Sequence, residues 1–260
     1  MIKSKLALYL LGKKEGFNMS AMRRFVHETE AWTAADWTKY HNQHIPALIE
    51  HAYNHVPFYH QLWDKAGVNP SEIRTVEDLS KLPIIRKADL IAHFEDFKAD
   101  DMSSYPMIHH HTGGTTGTPC AYYMDRYSWA LNWALKMQTF EWAGYHYGED
   151  CLGVMAGGSL TPGKKAGWKH RLWRYVNNYY SIPVTQLTDE KLEQHYQYLQ
   201  AHKIKFLRGY PSTLYTLAEY INRTHGTLPI QAVFTTAEML LPHQRLLMEK
   251  VFTCKLYDTY

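Results

Sequence analysis

Short apolar runs alternate with longer amphipathic segments through the second half of the sequence, and no other feature constrains the fold as strongly. Consecutive parallel strands need crossover connections, which are usually helices. The alternation therefore predicts an α/β fold with a mainly parallel, helix-flanked sheet. The predicted strands lie at 151–155, 206–209, 232–236 and 255–257, and helices are expected to begin near 188, 212 and 242.

The first hundred residues show a different pattern. From about Thr33 to about Phe97, apolar residues at helical spacing give way to turns. Thr33 and Asp36 have the spacing of a helix N-cap and its N3 acid. We therefore expect a helical amino-terminal region at 1–100, packed on an α/β part at 101–260.

Composition excludes several classes of protein. The 260 residues are 45% hydrophobic and 14% aromatic, which is typical of a compact globular protein. A net charge of +3 is too mild to demand nucleic acid, and no apolar stretch reaches the length of a membrane span. We therefore expect neither nucleic-acid nor membrane partners. Cys120, Cys151 and Cys254 are widely spaced and odd in number, so we expect a cytoplasmic protein without disulfides.

The segment Thr112-Gly113-Gly114-Thr115-Thr116-Gly117-Thr118 combines a tight turn with many hydrogen-bond donors. Its glycines accept positive φ, and its threonine hydroxyls add to the backbone N–H groups that such a turn directs inward, which suits a phosphate. Strands are expected on both sides, at 105–108 and 121–124. The segment is not a Walker A loop, because it lacks the terminal Gly-Lys-Ser/Thr. On these residues alone, an ordinary surface loop is the alternative.

A basic cluster follows the predicted strand at 151–155. Apolar residues interleave with it at helical spacing, which indicates an amphipathic helix docked on a core by its apolar side. The alternative is a patch for CoA phosphates, anionic lipid or nucleic acid. The basic members are Lys164, Lys165, Lys169, His170, Arg171 and Arg174, and the apolar ones are Trp168, Leu172, Tyr175 and Val176.

Histidine is abundant, with 16 residues. His51 and His55 are i, i+4 neighbours on the predicted first helix, a spacing compatible with one metal ion. No Cys, Asp or Glu stands at a recognised spacing from them, so packing or surface positions are favoured and no metal site is predicted. Of the three consecutive histidines before the glycine-rich segment, His111 is a candidate pocket residue, and its neighbours should alternate between two faces.

The glycine-rich segment resembles the phosphate loop of the adenylate-forming superfamily, which includes the acyl- and aryl-CoA ligases. Cys120 stands where those enzymes usually have a lysine. A further series of residues resembles the phenylacetate-CoA ligase family, and more closely its coenzyme F390 synthetase and capsular-polysaccharide relatives. The series is His51-Ala52-Tyr53, Val56-Pro57-Phe58-Tyr59, Ala66-Gly67-Val68, Glu77-Asp78-Leu79 and Leu82-Pro83-Ile84.

The resemblance implies where a nucleotide and an acid would bind. The family's adenine-binding segment, usually Thr-Thr-Gly-Glu, corresponds here to Thr235, Thr236, Ala237 and Glu238. If the glycine position needs positive φ, Ala237 would be strained by about 1 kcal/mol. Asp258 and Tyr260 resemble the opening of the family's Asp-x-Tyr-Gly-x-x-Glu motif, which also contacts adenine. The implied substrate pocket contains His111, Gly157, Gly158, Tyr210, Pro211 and Ser212.

The resemblance further implies ATP-dependent activation of a small carboxylic acid, with ATP and Mg²⁺, followed by transfer to CoA or another acceptor, in one version during polysaccharide biosynthesis. The motif's Mg²⁺-binding Glu and the mobile carboxyl-terminal domain with its lysine would lie beyond Tyr260. We therefore expect an incomplete ligase with little turnover alone and with no catalytic residue identified in this chain. A homodimer or a complementing carboxyl-terminal fragment would be its partner. The alternative is a non-catalytic scaffold or partner-binding fragment.

Overall fold

The computed structural model describes residues 2–111, 120–148, 150–155, 168–184 and 186–259, with the backbone alone at 2, 14, 15, 169–171, 173 and 174. The chain forms two compact units. The helix–hairpin unit comprises Glu15–Phe17 and Ala21–Trp133, and the sheet unit comprises Met1–Lys14, Asn18–Ser20 and Ala134–Tyr260. The functional boundary expected near residue 100 stays a prediction.

Ten α-helices and seven strands are assigned within the described residues. In chain order they are α1 (Ile2–Glu15), α2 (Met19–Thr29), α3 (Ala34–His55), α4 (Pro57–Ala66), α5 (Lys87–Ala92), β1 (Met107–His111), β2 (Ala121–Asp125), α6 (Arg126–Glu141), β3 (Leu152–Met155), α7 (Trp168–Asn177), β4 (Tyr179–Ser181), α8 (Asp189–Ala201), β5 (Phe206–Gly209), α9 (Pro211–Thr224), β6 (Ala232–Thr235), α10 (Pro242–Phe252) and β7 (Lys255–Asp258). None of the described helices has both the length and the apolar character that a membrane span requires.

Local sequence signals set the helices of the helix–hairpin unit. The Thr33 hydroxyl accepts from the Asp36 backbone N–H, and the Asp36 carboxylate accepts from the Thr33 N–H at 2.8 Å, which completes the predicted capping box of α3. Gly67 ends α4 in the left-handed conformation at φ 66°. Ile45, Ile49, Trp63 and Ile73 form the buried cluster between α3, α4 and the turn that follows.

Strands β1 and β2 form an antiparallel hairpin on either side of the glycine-rich segment. The rings of His109 and His111 lie 4.5 Å apart, whereas His110 stacks on Tyr122 and Trp129. The three histidines therefore alternate between two faces of β1, as predicted.

The sheet unit contains a five-stranded parallel sheet in the order β4-β3-β5-β6-β7. One face of β5 and β6 places Leu207 and Val233 in a cluster with α8, α9 and α10. The other face places Phe206 and Phe234 against Phe140 of α6. Burial on both faces requires near-continuous apolar strands, and this arrangement confirms the predicted α/β fold with a parallel, helix-flanked sheet.

Among the described glycines, Gly209 leaves the least room for a side chain. A Cβ atom at this position would lie 2.6 Å from the backbone oxygen of Met155 on the neighbouring strand β3 and 3.0 Å from Leu214 of α9. Because backbone cannot rotate away as a side chain can, a larger residue would separate β5 from β3 or from α9.

We expect Gly209→Ala to lower the free energy of unfolding by about 1 to 3 kcal/mol, the usual cost of overpacking a close contact. Gly153→Ala is the matched control, since its Cβ would meet only side-chain methyl groups of Ile204, Leu207 and Leu199, the nearest at 3.1 Å. Urea denaturation of both variants measures the difference. An equal loss in the two would contradict the role given to the backbone contact at Gly209.

Candidate functional site

The strand order of the sheet unit defines a topological switch point. Strand β4, which follows β3 in the chain, lies next to β3 on one side, and β5 lies next to β3 on the opposite side. The carboxyl ends of β3 and β5, at Met155 and Gly209, therefore flank the position at which ligands bind in open α/β sheets. The residues that follow β3, including the predicted Gly157 and Gly158, lie outside the described residues.

The turn after β5 and the turn after β6 are joined at this edge. The backbone N–H of Ser212, in the first turn of α9, donates to the Glu238 carboxylate at 3.0 Å. The carboxylate accepts from an N–H group that has no partner within the helix, at the end where the helix dipole favours negative charge. Two predicted sets, Tyr210 to Ser212 and Thr236 to Glu238, are thus brought together.

Ala237 adopts the left-handed conformation with φ 66°. An L-residue with a Cβ costs about 1 to 2 kcal/mol in this region, and glycine avoids that cost. The family resemblance implied that Ala237 would be strained if its position needs positive φ, and Ala237 does have positive φ. Its side chain is exposed, so the turn presents its backbone at the surface.

Asp258 is fixed at the end of β7 by β6. The buried Thr235 hydroxyl donates to the Asp258 carboxylate at 2.9 Å, and Thr259 donates from its N–H and its hydroxyl to the Thr235 carbonyl at 2.9 and 2.7 Å. Thr236, Ala237, Glu238 and Asp258 consequently share one edge of the sheet. Tyr260, the remaining predicted adenine contact, lies outside the described residues.

Two partly buried cations occupy the α6 side of the sheet unit. Arg208 of β5 donates from Nη2 to the Thr236 hydroxyl at 3.4 Å, and its buried Nε has no hydrogen-bond partner among the described residues. Burial, and secondly the positive charge of Arg208, lower the pKa of Lys136 on α6 to about 8. Burial also lowers the pKa of Arg208. The two side chains form a desolvated positive site that an anion would stabilise.

The sequence interpretation did not identify these two residues. Arg208 was part of a predicted strand, and Lys136 belonged to none of the candidate sites. The available signal was a charged residue at the end of a strand that is otherwise apolar, directly before a glycine. No sequence signal indicated that Lys136 would lie near Arg208, because the residue pattern of a helix does not reveal which strand the helix covers.

The basic cluster differs in part from its expected packing. The described apolar residues Trp168, Leu172 and Tyr175 of α7 are 70%, 51% and 71% exposed, and Val176 alone among the four is buried. The expectation that the apolar side docks on a core is therefore wrong for three of its members. Lys164 and Lys165 lie outside the described residues, and nothing is described of the side chains at 169–171 and 174.

The predicted phosphate segment, Thr112 to Thr118, also lies outside the described residues. The strands on either side of it are paired, with His111 opposite Ala121 in the hairpin. His111, the pocket candidate nearest to it, is exposed at the end of β1. The segment therefore connects the two strands of one hairpin.

The fold defines the class to which this chain is similar, the adenylate-forming CoA ligases. A solved 2-hydroxyisobutyryl-CoA ligase, in the postadenylation state with 2-HIB-AMP, superposes with a TM-score of 0.64 at 23% identity over 86% of this chain and 48% of that one. The same ligase with 2-HIB-AMP and CoA in its thioesterification state gives 0.60 at 25% identity over 87% and 49%. The chain thus spans about half the length of the solved ligases that it matches.

Within that class, the sequence resembles the phenylacetate-CoA ligases. It is 38% identical over 78 residues to phenylacetate-coenzyme A ligase of Escherichia coli, which is 30% of this chain and 18% of the relative. The enzyme of that name from Thermus thermophilus is 36% identical over 78 residues, 30% of this chain and 17% of the relative. No family model matches the sequence.

We expect Ala237→Gly to raise the free energy of unfolding by up to about 1 kcal/mol, because glycine removes the left-handed strain but adds entropy to the unfolded chain. Ala201→Gly, at the carboxyl end of α8, is the control. It replaces an alanine at a helical position, so it should lower stability. Urea denaturation measures the stability of both variants. A loss of stability in Ala237→Gly would contradict the inference that Ala237 is strained.

We expect the stability difference between Lys136→Met and the wild type to depend on pH. The pKa of Lys136 falls from 10.5 when unfolded to about 8 when folded, so between these values the unfolded chain binds more protons and this residue's contribution to stability rises with pH. The stability of Lys136→Met relative to wild type should therefore decrease by about 1 to 2 kcal/mol from pH 8 to pH 10.5, discounted for partial exposure.

Urea denaturation at intervals of pH measures this difference. Lys250→Met, which removes an exposed lysine of α10, controls for the loss of one positive charge and should not show the same trend. A constant difference for Lys136→Met across this range would contradict the desolvated positive site.

Proposed function

We propose that this chain is the nucleotide- and acid-binding part of an ATP-dependent ligase, which activates a small carboxylic acid as its acyl or aryl adenylate for transfer to CoA or another acceptor. The observation that carries the proposal is the edge formed by the left-handed Ala237 turn, the Glu238 link to α9 and the Asp258 link to β6. The named relatives and the solved CoA ligases support it.

The sheet unit supplies the candidate adenine contacts Thr236, Ala237, Glu238, Asp258 and Tyr260. An exposed backbone turn suits a flat heterocycle, since N–H and C=O groups can bind its edge while its face packs on the chain. For the helix–hairpin unit, we propose that Thr112 to Thr118 bind the ATP phosphates through backbone N–H groups and threonine hydroxyls.

Adenylation requires stabilisation of negative charge. An oxygen of the acid attacks the α-phosphorus, the bond from that phosphorus to the pyrophosphate oxygen breaks, and pyrophosphate leaves with the electron pair. Arg208 and Lys136 would lower the cost of holding an anion, because their own charges are already partly removed from water. We assign them to the negative charge of the bound acid or adenylate.

Mg²⁺ would neutralise charge on the phosphates of such a nucleotide. The described carboxylates at the edge are already engaged, Glu238 with the Ser212 N–H and Asp258 with the Thr235 hydroxyl. We therefore assign neither as a metal ligand. In the second half-reaction a thiol such as that of CoA attacks the acyl carbon and AMP leaves.

The proposed pocket for the small carboxylic acid includes residues at the start of α9. Tyr210, Pro211 and Ser212 stand at the switch point at the start of α9, with Pro211 buried. With His111, Gly157 and Gly158, they form the proposed set of pocket residues. We further propose that such a ligase acts in the cytoplasm, in polysaccharide biosynthesis.

We expect Mg-ATP to raise the melting temperature of the wild-type chain in a saturable way, by an amount equivalent to about 2.7 kcal/mol at 100 times the dissociation constant. The double variant Thr115→Ala/Thr116→Ala should lose the response to ATP and to pyrophosphate but keep that to AMP. Arg208→Met should weaken binding of AMP together with the acid, because the desolvated positive site is lost.

Thr38→Ala, on an exposed position of α3, is the control for removing a threonine hydroxyl and should respond to ATP as the wild type does. Absence of any shift at millimolar Mg-ATP would contradict the proposal and favour the scaffold alternative. If the double variant loses its response to ATP, pyrophosphate and AMP equally, its fold is damaged. Circular dichroism of the ligand-free protein would identify such damage.

A further inference from the structure

The helix–hairpin unit contains a second group of side chains with ligand chemistry, at the carboxyl end of α3. His51 and His55 lie one helical turn apart, with ring centroids 4.9 Å from each other. Asp101, on the segment between α5 and β1, places Oδ2 3.1 Å from Nε2 of His51. One ligand atom from each of the three residues lies within 4.8 Å of the others.

These separations suit the coordination of a single ion. Zinc is held by histidine nitrogen and carboxylate oxygen at about 2.0 to 2.2 Å, so two ligands of one tetrahedral ion lie about 3.3 Å apart. The distance from His51 to Asp101 is close to that value. Two histidines and one carboxylate also form a recurrent protein ligand set for divalent transition metals.

A further carboxylate orients the second histidine. Nδ1 of His55 lies 2.8 Å from Oδ1 of Asp100, as a hydrogen bond between the ring N–H and the carboxylate. This bond leaves Nε2 as the nitrogen with the free lone pair. Metal-binding histidines characteristically bond a carboxylate through the other ring nitrogen, which fixes the tautomer and the ring orientation.

The backbone holds the site in place without an ion. The Asp100 N–H donates to the His55 carbonyl at 2.8 Å, and the Phe58 N–H donates to the Asp96 carbonyl at 2.9 Å. His51 and Asp101 are only 40% and 24% exposed in their side chains, and Oδ1 of Asp101 is buried with no hydrogen-bond partner among the described residues. The two histidine–carboxylate contacts alone would leave that oxygen unsatisfied.

We propose that His51, His55 and Asp101 bind a divalent transition-metal ion, with Asp100 as the residue that positions His55. Nothing in the proposed ligase chemistry uses these groups, so the site is independent of the nucleotide. The ion would join the end of α3 to the segment that leads into the hairpin. Its role is structural, because it adds a cross-link between elements that are distant in the chain.

The test is titration of the metal-free 260-residue chain with Zn²⁺, in a reducing buffer, in competition with a chromophoric chelator. We expect one tight site per chain. Asp100→Asn should weaken Zn²⁺ binding by the ten- to hundredfold that is typical of a residue that orients a ligand, and His51→Ala and Asp101→Asn should each weaken it by more than Asp100→Asn does. Co²⁺ should give the intense visible absorption of a four-coordinate ion in the wild type and not in His51→Ala or Asp101→Asn.

His60→Ala is the matched control. His60 pairs with Asp64 at 3.4 Å, but it belongs to no group of three potential metal ligands among the described residues, so the variant should bind Zn²⁺ as the wild type does. Wild-type affinity in both His51→Ala and Asp101→Asn would overturn the proposal. So would loss of the tight site in a His109→Ala/His111→Ala variant that keeps the α3 residues. Asp101→Asn preserves side-chain size, so it remains informative if His51→Ala folds poorly.

Discussion

Parallel pairing of β3, β5, β6 and β7 is the constraint on which the sheet unit depends. Strands buried on both faces must be apolar and joined by helices, so their carboxyl ends all reach the same edge. The backbone approach at Gly209 keeps β5 close to both β3 and α9. The turns after β5 and β6 can then be linked by Glu238, and β6 can fix Asp258 through Thr235.

The sheet unit contains groups that lower stability in the free protein. Ala237 holds a left-handed conformation, and Lys136 and Arg208 hold positive charges away from water. The apolar contacts of Phe206 and Phe234 on the same face offset these local costs. Because Arg208 also donates to Thr236, which precedes Ala237, these unfavourable features indicate one candidate binding site, where a bound anion would relieve the electrostatic cost.

In the helix–hairpin unit, local and tertiary determinants separate clearly. The capping box of Thr33 and Asp36 uses residues three positions apart, so the sequence predicted it correctly. The i, i+4 spacing of His51 and His55 was equally visible. Asp101 lies 50 residues from His51 in the chain and has no characteristic spacing from it, so the sequence predicted no metal site there.

The sequence by itself determined the fold class, because apolar periodicity and turn residues record which segments are strands and which are helices. It also placed Ala237, Glu238 and Asp258 directly after predicted strands, with Thr236 as the last residue of one of them. The family resemblance raised positive φ at Ala237 as a condition. Only the tertiary structure decided that Glu238 caps α9, that Arg208 and Lys136 share one desolvated site, and that Asp101 meets two histidines of α3. The physical reason is that strand order and helix packing bring together side chains whose separation along the chain has no fixed period.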